Sequence, residues 1–144
     1  MAIGIEELDR AIPAALDWVA DLQTRLGWHD RAMTYAAMKA TLHGLRDALP
    51  ADEAVFLGSC LPILLRGAYY EGWHLRSQPG SLAYDRESLF ERIRDGVGRA
   101  LGVDAEEVAR RVFEVIADRV PSGELEDVKA VTPPSLHFLW PHER

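Results

Sequence analysis

Pro50 and Pro62 punctuate the first half of this 144-residue chain, and Pro121 and Pro133 punctuate the second half. Each proline of the second pair stands 71 positions after its counterpart. Proline has no backbone N–H and stops or breaks a helix, so two equally spaced stops mark two equally laid-out helical stretches. The same shift, without a gap, sets Gly27 on Gly98, Asp47 on Asp118, Glu53 on Glu124 and Leu65 on Leu136. Apolar positions follow: Val19 with Phe90, Leu22 with Ile93, Leu42 with Phe113, Leu45 with Ile116, Leu57 with Val128, and Tyr69 with Trp140. This reads as a duplicated helical unit, repeat 1 over 16–73 and repeat 2 over 87–141. The matched core of each copy is about 55 residues long. A unit of that size buries its apolar faces poorly on its own, so the two are expected to share one core.

Within each unit the apolar spacing is helical. Trp18, Val19, Leu22 and Leu26 follow i, i+1, i+4, i+8, and Gly27 is placed to end that helix. Asp30 is a candidate N-cap for a helix carrying Met38, Leu42, Leu45 and Leu49, which stops at Pro50. A short helix over about 52–60 and another turn or helix running into Tyr69 and Tyr70 follow. Asp85 caps the next predicted helix, with Leu89, Phe90, Ile93 and Val97. Asp104, with Glu107 three residues on, caps the one carrying Val108, Val112, Phe113, Ile116 and Val120. Residues 1–15 read as a partly helical N-terminal segment, and 74–86, with Pro79-Gly80 and no apolar period, as a linker. No stretch alternates with period two. The expected fold is all-α: two tandem, pseudo-twofold repeats of a three- to four-helix unit in one bundle.

Charge and cysteine usage exclude whole classes of function. A formal charge of −7 argues against a nucleic-acid or anionic-membrane partner, which needs a basic face. No apolar run approaches the roughly 20 residues of a membrane span. The opening "MAIGIEELDR" lacks the basic flank and apolar core of a secretory signal. One cysteine, Cys60, permits no internal disulfide, and a cytoplasmic setting is expected.

The segments "LHGLRDALPADEA" (42–54), "LPILLRGAYYEGW" (61–73) and "GELEDVKAVTPPSLHFLW" (123–140) occur in that order. Together they resemble the bacterial family of domain of unknown function 2267, over roughly residues 16–140. The resemblance implies a cytoplasmic, all-helical bacterial protein and brings no reaction, ligand or catalytic residue with it.

The duplication also separates candidate sites from scaffold. A polar residue whose counterpart is unlike it has broken the symmetry. Cys60 matches Val131 and reads as a small buried hydrophobe. Glu71 and His74 have the i, i+3 spacing of di-iron bundles, but one such pair is too few for that site, so no metal is expected. His43, Arg46 and Asp47 share a turn. His43 can pair with Asp47 at i, i+4, and Arg46 borders the apolar stripe. Asp47 recurs as Asp118, which suggests a structural role near the Pro50 turn, whereas His43 and Arg46 belong to the first half alone.

Arg66, Tyr69, Tyr70 and Trp73 form the remaining cluster. Tyr69 has an aromatic counterpart and Arg66 a polar one, His137, while Tyr70 and Trp73 have none. Aromatics beside an arginine suit an interface hot spot, and equally a buried helix end. No nucleophile–base pair, phosphate loop or metalloprotease pattern is present, so no catalytic residue and no cofactor are expected. The leading expectation is a non-enzymatic helical module that binds a protein partner or itself. The binding residues would be Arg66, Tyr69, Tyr70 and Trp73, with His43 and Arg46 beside them. The alternative is a small-molecule or metal-binding protein with a pocket between the repeats.

Overall fold

The computed structural model describes residues 2–74 and 84–142, and in them every regular element is helical. In chain order these are α1 (Glu6–Leu26), α2 (Arg31–Ala48), α3 (Ala51–Ser59), α4 (Ile63–Tyr70), α5 (Arg86–Val97), α6 (Ala105–Arg119) and α7 (Ser122–Val131). A 3₁₀ turn, Arg99–Leu101, precedes α6, and another, Pro134–Leu139, follows α7. Most of the linker read at 74–86 lies outside the described residues.

Local chemistry sets the helix ends. Asp30, Asp85 and Asp104 each accept a hydrogen bond from a backbone N–H of the first turn they precede, that of Met33, Ser88 and Glu107 respectively. Only one arm of the Asp104 box forms, because the Glu107 carboxylate turns instead to Arg111. Gly27 closes α1 at φ 70°, a left-handed conformation that suits glycine. The ends of α1 and α5, Leu26 and Val97, lie 71 residues apart, as do the ends of α2 and α6, Ala48 and Arg119. The starts of α2 and α6 do not. Residues 99–101 form the 3₁₀ turn, and α6 begins three positions later than the shift of 71 places it. α1 runs without a break through residue 16 and carries Pro13 inside it. That residue is exposed, where the hydrogen bond a prolyl nitrogen cannot make costs least.

The helices pair crosswise. α2 lies along α5 and α1 along α6, while α2 and α6 meet at the centre and α3 touches α7. α4 covers α1 and α2, and the last 3₁₀ turn covers α6. The core between them holds Leu22, Leu42, Leu45, Leu57, Leu65, Leu89, Ile93, Phe113, Ile116 and Val128, all essentially inaccessible. Each such side chain contributes about 1.5–3 kcal/mol by leaving water. The α2–α5 crossing is close enough to require small residues. A Cβ on Gly96 would lie 2.6 Å from that of Ala40, and one on Gly44 would lie 2.4 Å from Leu89 Cδ1.

Ion pairs join α1 to α6 at the rim. Arg25 reaches Asp118 at 2.5 Å, and Arg119 reaches Asp17 at 2.7 Å and Asp21 at 3.1 Å. No helix of the described residues is long and apolar enough to cross a membrane.

Candidate functional site

The polar centre of the first half is Arg46. It was expected to border the core and is instead inside it, 1% exposed. A buried guanidinium needs its donors used and its charge balanced. Its Nε and Nη2 donate to the two Asp47 carboxylate oxygens at 2.8 and 3.1 Å. Its Nη1 donates to the Tyr69 and Glu71 carbonyls at 2.6 and 2.9 Å, at the open C-terminal end of α4. Asp47 is also held by Arg92 of α5, at 2.6 Å. Burial alone would raise the Asp47 pKa, but the two guanidiniums overcome it and hold the carboxyl below its ordinary value.

The i, i+4 pairing of His43 with Asp47 does not form. The His43 Nε2 instead meets the Ala68 carbonyl at 2.6 Å, which makes it the donor. A nearby backbone acceptor from α4 and the existing claim of two arginines on Asp47 explain the preference. Burial pushes the imidazole pKa down, against the bond to the Ala68 carbonyl, and the Arg46 and Arg92 charges add to burial, which favours the neutral ring. Asp47 was expected to serve the turn at Pro50; its partners are the arginines. It has the same relation to α5 that Asp118 has to α1, since each binds an arginine on the first helix of the opposite half.

The aromatic cluster braces α4 against α3. Tyr69 is fully buried and donates its hydroxyl to the Ala54 carbonyl at 2.6 Å. Tyr70, half-buried, donates to the Val55 carbonyl at 3.2 Å and meets the Tyr69 ring edge-on, centroids 5.0 Å apart. Trp73 stacks obliquely on Tyr70 at 5.6 Å and packs on the core. A Cβ on Gly58 would lie 2.4 Å from the Tyr70 oxygen, so a glycine is what lets this contact exist.

Arg66 closes the C-terminal end of α3, donating to the Gly58, Ser59 and Leu61 carbonyls. Its counterpart His137 makes the matching bond, to the Thr132 carbonyl, the equivalent of Leu61. The structure therefore brings Arg46 and Tyr69 into direct contact, with His43 alongside. It sets Tyr70 and Trp73 on the flank and Arg66 at a separate helix end.

Cys60 is half-buried against the core, and burial raises its thiol pKa. Glu71 pairs with Lys39 at 3.5 Å. Among the described residues no group of three or more His, Cys, Asp or Glu side chains could hold a metal ion.

A different place has the shape of a binding surface. An apolar groove of about 490 Å³ runs between α1, α2 and α4. Ile12, Ala15, Leu16 and Val19 of α1 form one wall, Arg31, Ala32 and Tyr35 of α2 the second, and Leu64 and Leu65 of α4 the third. Ile12 is 61% exposed and Leu64 48%, and Leu8 and Ile63 extend the apolar surface beyond the groove. The α1 stripe Leu8, Ile12, Ala15, Val19 thus begins in solvent and is fully buried only at Val19, although Ala11 on the neighbouring face is already buried. None of His43, Arg46, Arg66 and Tyr69 lines this groove. Periodicity could have found it: Leu8, Ile12, Leu16 and Val19 have helical spacing, but the first two fall in the segment read as only partly helical. Arg92 of α5 and Tyr84 of the preceding linker, which adjoin the Arg46 centre, had no local signal.

Tyr84 lies across the same centre. Its buried hydroxyl sits over Gly44, with the Arg92 guanidinium nearby. Burial raises its pKa, against the pull of the nearby Arg92 cation.

A family model described as an uncharacterized conserved protein, DUF2267, matches residues 16–139. No curated protein matches the chain.

Proposed function

The chain belongs to the uncharacterised conserved family DUF2267, and from that premise we propose that it is a non-catalytic helical docking module. The observation that carries this reading is the apolar groove between α1, α2 and α4, with Ile12 and Leu64 left in solvent on its walls. Exposed apolar side chains of this size, contiguous around a concave surface, are what a protein-binding face presents. The brace of Tyr69, Tyr70, Trp73 and Arg66 holds α4, and so the third wall of the groove, in place. In this reading the residues singled out from the sequence act on binding through α4. His43 and Arg46, which hold the C-terminal end of α4, do the same.

We further infer that the scaffold is a duplicated unit with a pseudo-twofold axis. Exchange α1 with α5 and α2 with α6, and the observed pairs map onto one another: α1–α6 onto α5–α2, and α1–α2 onto α5–α6. The matched carbonyl caps of Arg66 and His137 and the matched ion pairs of Asp47 and Asp118 support the same relation. A bacterial, cytoplasmic setting goes with this reading.

A photocrosslinking side chain at Leu64, with Leu101 on the turn before α6 as the exposed reference, tests the docking face. The expected result is a polypeptide adduct formed in cells from position 64 and suppressed by Ile12→Asp. Equal or absent adducts at 64 and 101 would count against a docking role for the groove.

A further inference from the structure

We infer that the groove between α1, α2 and α4 receives the N-terminal part of α1 from a second copy of the chain, giving an antiparallel, twofold dimer. This rests on the docking reading above and names its partner. A twofold contact requires a patch that is its own complement. α1 meets that requirement, since one helix supplies a groove wall (Ile12, Ala15, Leu16, Val19) and an apolar ridge left in solvent towards its N-terminus (Leu8, Ile12), with Ile12 belonging to both. The stretch from Leu8 to Val19 covers about three turns, roughly 16 Å, enough for a helix laid in a groove.

Charge selects the direction. Arg31 stands at the groove and, among the described residues, has no acidic partner. Glu7, in the first turn of α1, has no basic partner among the described residues. α2 begins five residues after α1 ends, which sets Arg31 beside the C-terminal half of α1. An antiparallel α1–α1 pairing therefore carries Glu7 of each copy towards Arg31 of the other, while Leu8 and Ile12 enter the apolar walls. A parallel pairing would hold the two apart. The lining is otherwise apolar but for the Tyr35 hydroxyl, which suits a leucine- and isoleucine-bearing helix better than a polar ligand.

Sedimentation equilibrium of the purified chain across a wide concentration range tests this. The wild type is expected to show a monomer–dimer equilibrium, weakened at least about tenfold by Ile12→Asp. Ile12 is an exposed position, so far-UV circular dichroism and the melting temperature should hold. Arg31→Glu and Glu7→Arg should each weaken the dimer, and the double variant should recover it. A wild type that stays monomeric into the millimolar range overturns the proposal, as does a dimer indifferent to Ile12→Asp. A dimer sensitive to Ile12→Asp but not rescued by the charge swap overturns the antiparallel register. A monomer that still forms Leu64 adducts with another protein defeats self-pairing and leaves the docking function standing; the absence of any Leu64 adduct defeats both.

Discussion

Asp47 and Arg46 differ in what their loss leaves behind, and the difference has a predictable size. Asp47→Ala removes from the guanidinium of Arg46, 1% exposed, the carboxylate that meets its Nε and Nη2. Removing one partner of a buried pair costs about 3–5 kcal/mol, because the other charge stays behind uncompensated. Asp47 is 18% exposed and water can enter its place, which sets the expected loss near the lower end, about 3 kcal/mol. Arg46→Met removes the buried cation, keeps much of the side-chain volume, and leaves Asp47 its contact with Arg92 at 2.6 Å. Its cost is the donor withdrawn from the Tyr69 carbonyl, about 1–2 kcal/mol for one buried acceptor, since Glu71 is exposed and its carbonyl can be hydrated.

Asp47→Ala should therefore be the worse change by roughly 1–2 kcal/mol, a gap of about 2–8 °C in Tm for a chain of this length. Adding Arg46→Met to Asp47→Ala should restore stability. Urea unfolding followed by circular dichroism measures all three, with an unchanged dependence on denaturant as the check that the same transition is compared. If Arg46→Met is as damaging as Asp47→Ala, or the double variant is worse than Asp47→Ala, the account of this centre as a buried guanidinium held by the Asp47 carboxylate is wrong.

Two further outcomes follow from the same region. The neutral His43 has a folded-state pKa below its ordinary 6.5, so its contribution is complete above that value and is lost as pH falls below it. The urea midpoint should fall between about pH 7.5 and about pH 5.5, and His43→Gln should flatten that part of the profile. Gly58→Ala sets a methyl 2.4 Å from the Tyr70 oxygen and 3.0 Å from the Tyr69 ring. A thermal melt should show a loss of about 1–3 kcal/mol, part of it recovered by Tyr70→Phe.

The parts of the molecule legible in the sequence are those decided by neighbours in the chain. Asp30, Asp85 and Asp104 cap their helices because an Asp side chain reaches an N–H three residues on, whatever the tertiary structure. Gly27 and Pro50 end theirs for equally local reasons. The site depended on distance. Nothing near Asp47 indicates Arg92, 45 positions later, and without it the i, i+4 neighbour His43 looked the natural partner. Helical spacing placed Arg46 at the edge of the apolar stripe. Only the open carbonyls of α4, arriving from another helix, explain why it sits inside. Tyr70 looked like contact surface because no counterpart exists for it, yet its hydroxyl is used by α3. The exposed ridge at Leu8 and Ile12 falls in the segment read as only partly helical, whereas α1 runs through it unbroken and carries Pro13 on its solvent side.

The tight crossing of α2 and α5 bears on how the chain is made. Helical proteins gain speed in folding from contacts close in sequence, but this contact joins residues about fifty positions apart. A ribosome adding about 5–20 residues per second completes α2 seconds before α5 leaves the exit tunnel, and one face of α2 waits uncovered meanwhile. That face is built around Ala40 and Gly44, the residues the crossing requires. They offer a chaperone or a neighbouring nascent chain little apolar surface to seize. The small side chains that let the two helices approach also leave that face of α2 with little apolar surface during synthesis.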